Sequence, residues 1–221
     1  MWTKLRHGLE SLRAGEFGAL LREKLRQLIR VETYFAYVVD LSLPRTPVTA
    51  RVPLTIRRAT EDDFASFRNS SGPLARQAYI RDHFGLTSCY LTLVGDEIAT
   101  FMWMYYPHDR RQQPTRFRRL RKDEVAIANG MTFPPFRGKN IFPWMLRALM
   151  DISEREGYRY CFMYVENDNL ASQQSVLKTG GERVGQSWRI RCFFHRDPAD
   201  GFYIQGPGGP PGPNARPTAK S

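Results

Sequence analysis

Cysteine is scarce: three residues in 221, at 89, 161 and 192, with no CxxC and no Cys/His spacing. An odd, scattered set excludes a disulfide framework and a zinc site, and metal: none is the expectation for the whole chain. Each thiol falls in an apolar run, which suits buried cysteines in a reducing compartment. No apolar run approaches the length of a membrane span. The first residues carry charges throughout and lack the uninterrupted apolar core of a signal peptide. The expected location is therefore cytoplasmic. Internal repeats are absent, and so is a Walker loop, since no GxxxxGK[ST] occurs.

Acid is also short. There are 22 Asp and Glu against 33 Lys and Arg, a formal net charge of +11. Such a surplus favours an anionic partner: a phosphorylated cofactor, an acidic carrier protein, nucleic acid or an anionic membrane face.

Residues 1–30 read as an amphipathic helix with Trp2, Leu5, Leu9, Leu12, Phe17, Leu20, Leu21, Leu25 and Leu28 on one stripe and a basic opposite face. It suits docking on its own domain, on a second subunit, or peripherally on an anionic membrane. Residues 30–42 read as a strand and 43–53 as a proline-bearing connector, so the main domain is drawn from 51 to 204 after an extension of 1–50. The tail, 205–221, is rich in Pro and Gly and is expected to be disordered.

Within the main domain, 54–58 is a strand and Thr60 caps a helix, with Asp63 in the capping-box position. Leu74–Phe84 is a second helix. Gly95-Asp96 joins two apolar runs as a hairpin. An arginine-dense loop, 108–122, follows; it suits an anionic acceptor, and no RNA-binding motif accompanies it. The remaining order is a strand from Glu124, a helix from Gly138 to about Glu156, a strand at 158–165, a helix opening near Asn169 and closing at Gly180-Gly181, and a final strand with Trp188, Ile190, Cys192 and Phe194 on one face. This is an α/β (α+β) pattern: a mixed, mostly antiparallel sheet with helices on both faces. The unit from Glu124 to Val165 demands a parallel pair.

The stretch "PPFRGKNIFPWMLRALMD" (134–151) puts a glycine and two cations where a helix begins. A helix start leaves about four N–H groups unpaired and carries positive partial charge, so it binds anions. Gly138 permits close backbone approach, and Arg137 and Lys139 add charge. The pattern reads as a phosphate cradle.

These elements, together with "VENDNLASQQSVLKTGG", resemble the GNAT superfamily of N-acyltransferases over about 52–194. The resemblance implies a splayed parallel strand pair that admits the pantetheine arm of acetyl-CoA or another acyl-CoA. It implies a pyrophosphate seated on the helix start, and direct attack by a primary amine, from a small molecule or a peptide. The family's R-x-x-G-x-G/A loop falls on Arg137, Gly138, Lys139, Asn140, Ile141 and Phe142. Asn140 stands for a glycine, which it can do because Asn enters left-handed backbone readily. Phe142 stands for a small residue, so its ring either crowds the pyrophosphate or points into the core. A crowded site would turn the donor toward an acyl-carrier protein or a charged tRNA. The backbone of Met131, Thr132 and Phe133 is implied as the pantetheine and carbonyl partner. Asn169 and Ser172 match the second signature, although a helix cap explains Asn169 equally well.

The catalytic positions depart from the pattern. "VAIANG" (125–130) holds no carboxylate, and Val176 stands where many members carry a tyrosine. Glu124, Tyr105 and His108 are the candidate proton handlers, with Tyr106 beside Tyr105 at a strand end and His83, like His108, near an acceptor-side loop. A catalytically silent binding or membrane-docking module is the competing reading.

Overall fold

Alternation along one strand divides this protein's interior. In the computed structural model, which describes residues 29–109 and 120–192, strand β4 (Glu97–Tyr105) sends Phe101, Trp103 and Tyr105 into one apolar cluster and Met102 and Met104 into another. A period of two does this in any strand covered on both faces. Helices α1 (Glu61–Arg68) and α2 (Pro73–Phe84) cover the first face through Phe64, Phe67, Ala78 and Ile80. Helix α3 (Ile141–Arg155) covers the second through Met145, Leu146, Leu149 and Met150, and Val176 of α4 (Leu170–Lys178) joins it.

The remaining strands are β1 (Ile29–Asp40), β2 (Thr55–Arg58), β3 (Cys89–Val94), β5 (Glu124–Thr132), β6 (Tyr160–Glu166) and β7 (Glu182–Cys192). They form one seven-stranded sheet in the order β2-β3-β4-β5-β6-β1-β7. The pairs β2/β3, β3/β4, β4/β5 and β1/β6 are antiparallel; β5/β6 is parallel, as the intervening helix requires. The Gly95-Asp96 hairpin forms as expected, with Gly95 at φ +60.

The sheet runs past the boundary drawn at residue 51. β1 pairs with β6 from Tyr34–Glu166 to Asp40–Tyr160, so it lies inside the same sheet. By contacts the described residues divide into two units, one drawn from 34–187 and the other from 29–33 and 188–192. Of the second unit the described part is the start of β1 and the end of β7. The amphipathic stripe at 2–28, most of the arginine loop, the tail and the side chains of His83, Trp188, Ile190 and Cys192 lie outside the described residues. Among the described residues no helix is long and apolar enough to cross a membrane.

Thr60 and Asp63 form the capping box read from the sequence: the Thr60 hydroxyl accepts from Asp63 N–H, and Asp63 accepts from Thr60 N–H at 2.7 Å. Asp63 also takes both terminal nitrogens of Arg57, at 2.5 and 2.8 Å. Those bonds from Arg57 lower its carboxyl from 3.8 to about 2. A carboxyl depressed on folding stabilises above its unfolded value, and that stability drains away as pH falls from about 4 toward about 2. Asp63→Asn should therefore cost about 1–2 kcal/mol at pH 7, after allowing for solvent screening. That corresponds to a melting temperature about 3–6 °C lower by calorimetry. The gap between variant and wild type should narrow below about pH 4 and close only near pH 2; a gap constant from pH 7 to pH 2 would show that the carboxylate contributes nothing.

Candidate functional site

The parallel rungs of β5 and β6 run from Glu124–Tyr160 to Ile127–Met163 and stop. β5 continues to Thr132 on β4, and β6 continues to Glu166 on β1. Residues 128–132 and 164–166 are therefore not laddered to each other. A bulge marks the parting point. Phe101 pairs with Met131 while Trp103 pairs with Ala128, so three steps on β5 oppose two on β4. Asn129 sits in the bulge at φ 52. An extra residue bends one strand away from its neighbour.

Past the bulge, a short 3-10 turn (Pro134–Phe136) leads to the loop before α3. The helix begins at Ile141, three residues later than the sequence pattern gives, because Gly138 (φ 74) and Asn140 (φ 63) hold left-handed backbone. Asn140 thus takes the glycine's conformation. The helix start is bare: no side chain caps it and its first turn holds no acid. Among the described residues no acceptor serves the N–H groups of Gly138, Lys139, Asn140, Ile141 or Phe142. Pro143 has none to offer, and Trp144 N–H reaches Asn140 O at 3.3 Å. Arg137 Nε donates to Thr132 O at 3.1 Å, which lays its guanidinium along the loop. Lys139 Nζ lies 5.3 Å from the centre of the Phe136 ring. Neither cation has a carboxylate partner among the described residues. A diphosphate is the kind of group such an end accepts.

Phe142 takes the core alternative. Its ring is half-buried against the cluster beneath α3. A β-carbon added to Gly130 would lie 3.1 Å from Phe142 Cε2 and 2.7 Å from Met102 Cγ. Gly130, inside the bulge, leaves space that the ring uses, so the ring packs against β5 and the core cluster.

The backbone partners need correction. Phe133 N–H donates to Ala99 O at 3.0 Å, toward β4, and Met131, opposite Phe101, shares that orientation by alternation. Thr132 is the residue whose backbone faces the open edge; its hydroxyl is 2.9 Å from that of Thr100. Asn169 is an N-cap: its side chain accepts from Ser172 N–H at 3.1 Å.

Of the three proton handlers, only Tyr105 comes near the parting point. Its buried hydroxyl accepts from Asn129 Nδ2 at 2.7 Å. Glu124, 3% exposed, starts β5 at the closed end of the parallel pair and accepts from Arg121 N–H at 2.8 Å. His108 is exposed and stacked on Tyr106 at 5.3 Å. The Tyr106 hydroxyl donates to Glu156 Oε2 at 2.9 Å, just past the last turn of α3, and burial pushes its pKa far up. About 20 Å of helix separates that end from the bare one. Val176 is 2% exposed and fills the core. Asn129 is the residue the sequence reading passed over; its signal was an Asn-Gly pair inside a strand, the mark of a bulge.

No protein-family model matches the sequence, and no curated protein matches it. Solved structures do. A GCN5-related N-acetyltransferase from Sphaerobacter thermophilus superposes with a TM-score of 0.53 at 14% identity, over 78% of this chain and 55% of that one. The glucosamine N-acetyltransferase region of a fungal multi-domain β-N-acetylglucosaminidase gives 0.52 at 13% identity, over 81% and 22%. A GNAT-family acetyltransferase from Colwellia psychrerythraea gives 0.51 at 12%, over 73% and 55%. This chain thus spans about half the length of the two bacterial enzymes and less of the fungal one. At these identities the likeness is one of fold, and the fold is that of the GNAT acetyltransferases.

Proposed function

We propose that this chain is an N-acyltransferase that moves an acetyl or other acyl group from acyl-CoA to a primary amine. One observation carries the reading: the edge that opens where β5 leaves β6 leads to five N–H groups without acceptors among the described residues, flanked by Arg137 and Lys139. A diphosphate on that end lets the pantetheine arm run back between the strands, with the Thr132 N–H as its partner, since the Thr132 carbonyl accepts from Arg137 Nε. The amine nitrogen attacks the thioester carbon, the C–S bond breaks, and the thiolate leaves. The new N–H proton must be lost and the thiolate must gain one. In this reading Tyr105, whose hydroxyl accepts from Asn129 Nδ2, gives its proton to sulfur and regains one, through solvent, from the ammonium formed on attack. Holding amine and thioester in line supplies about 7–11 kcal/mol of barrier lowering by itself, so turnover does not need a strand carboxylate.

Calorimetric titration with CoA tests the reading. The full chain should bind, and Arg137→Ala should weaken binding about 5- to 10-fold, the loss of one charge-assisted hydrogen bond. A wild-type chain that takes up no CoA would refute the proposal.

A further inference from the structure

Of the four described helices two carry a side-chain cap, while α2 opens on Gly72 and α3 on Asn140 without one. Thr60 and Asn169 turn their side chains onto the N–H groups of their own helices. Asn140 does not. Its left-handed backbone sends the amide sideways, where both ends are used: Nδ2 donates to Thr49 O, and Oδ1 accepts from Lys178 Nζ of α4 at 2.8 Å. A side chain that capped α3 would occupy the N–H groups an anion needs. Backbone geometry alone would be met best by glycine, so the amide has work beyond the turn.

Thr49 belongs to an extended strap, residues 45–51, that follows α3 end to end. At the far end, Arg45 donates to Leu41 O and pairs with Asp151 and Glu154. Arg147 joins Asp151 to the strap, donating to Thr46 O at 2.9 Å. At the near end, Arg51 N–H donates to Lys139 O at 2.9 Å and Arg51 Nη1 to Gly138 O at 3.3 Å. Six extended residues reach about 20 Å, enough for the roughly 16 Å of helix between Asn140 and Asp151. The strap starts where β1 ends, next to β6, so it is anchored at both ends.

We propose that Asn140 is a positioning residue, a strut between the strap and α4 that keeps the loop at 137–140 in its anion-accepting shape and makes the strap part of the donor site. The donor-site half rests on the acyl-CoA reading above. The carbonyls of Gly138 and Lys139 are drawn to Arg51 on one side, and the Asn140 amide is held on two. What stays uncommitted is the run of N–H groups.

Asn140→Gly is the informative variant, because glycine keeps φ near 63 and deletes both side-chain bonds. In the full-length protein, hydrogen exchange of the bonded amides that hold the loop, Arg51 to Lys139 O, Arg137 to Pro134 O and Trp144 to Asn140 O, should quicken about 10-fold, the opening allowed by losing two modest hydrogen bonds. CoA affinity should fall by a similar factor while the melting temperature falls by no more than about 4 °C, the shift that a 10-fold loss carries. Lys178→Met, which removes one tie, should give a smaller change of both kinds. Unchanged exchange in Asn140→Gly overturns the strut. Faster exchange with full CoA affinity overturns its role in the donor site. Global destabilisation that accounts for both changes makes Asn140 an ordinary fold element and overturns the proposal. If the wild-type chain binds no CoA, the acyl-CoA reading and the donor-site half fall together, and exchange still decides whether the amide is a strut.

Discussion

Gly138→Glu is expected to weaken CoA binding at least 100-fold while leaving the protein folded. A β-carbon at this position meets nothing within 4 Å, so no collision contributes. Two other effects do. A non-glycine residue at φ 74 carries about 1–2 kcal/mol of strain, which the loop would relieve by moving out of its open shape. A carboxylate beside a bound diphosphate repels it by about 1–2 kcal/mol at this exposure and ionic strength. Together they reach the roughly 2.7 kcal/mol of a 100-fold change. The fold should stand, since acid near a helix start is favourable to the helix. Gly138→Lys separates the causes: it carries the same strain with the opposite charge and should lose only about 10-fold. Equal losses in the two variants would mean that charge plays no part and that the bound group is not an anion.

Trp103→Ala should produce the largest loss of stability in the described structure. The indole is fully buried on the α1/α2 face of β4, with its ring 6.0 Å from that of Phe64. Its Nε1 donates to Gln77 Oε1 at 2.7 Å, and Gln77 Nε2 donates to Pro73 O at 2.7 Å. Truncation opens a large cavity and strands the Gln77 carbonyl in a site that is 3% exposed. The two losses should amount to about 4–6 kcal/mol. In a domain of this size that lowers the melting temperature by about 10–20 °C. Trp103→Phe keeps most of the volume and should lose less than half as much. A change under 5 °C for Trp103→Ala would show that this face of the sheet is not packed as described.

Local features of this fold were readable in the sequence because local chemistry sets them. Thr60 with Asp63, the Gly95-Asp96 hairpin and the helix behind "RGKN" each follow from neighbours a few residues apart. The place of β1 was not readable. Its partners, 160–166, lie more than a hundred residues away, and alternation within 29–40 is silent about which edge the strand will take. Arg45 and Arg51 were invisible for the same reason: their acceptors are on α3 and its loop. Phe142 could be resolved only by seeing Gly130 opposite it, since a bulky ring fits wherever another residue makes room. Glu124 and His108 were attractive as residue types, but type carries no position; the sheet puts the first at the closed end of the parallel pair and the second beside the far end of α3. Tyr105 holds its place through Asn129, whose significance depends on a bulge that two strands define together.

The most direct test follows backbone amide resonances of the labelled full-length chain while CoA is added. Large shifts confined to 138–142, Thr132 and the edge residues 164–166 are predicted. Saturable binding that instead moves amides around Tyr106, His108 and Glu156, or a spectrum that stays unchanged at millimolar CoA, would contradict the assignment of the open edge and bare helix start as the donor site.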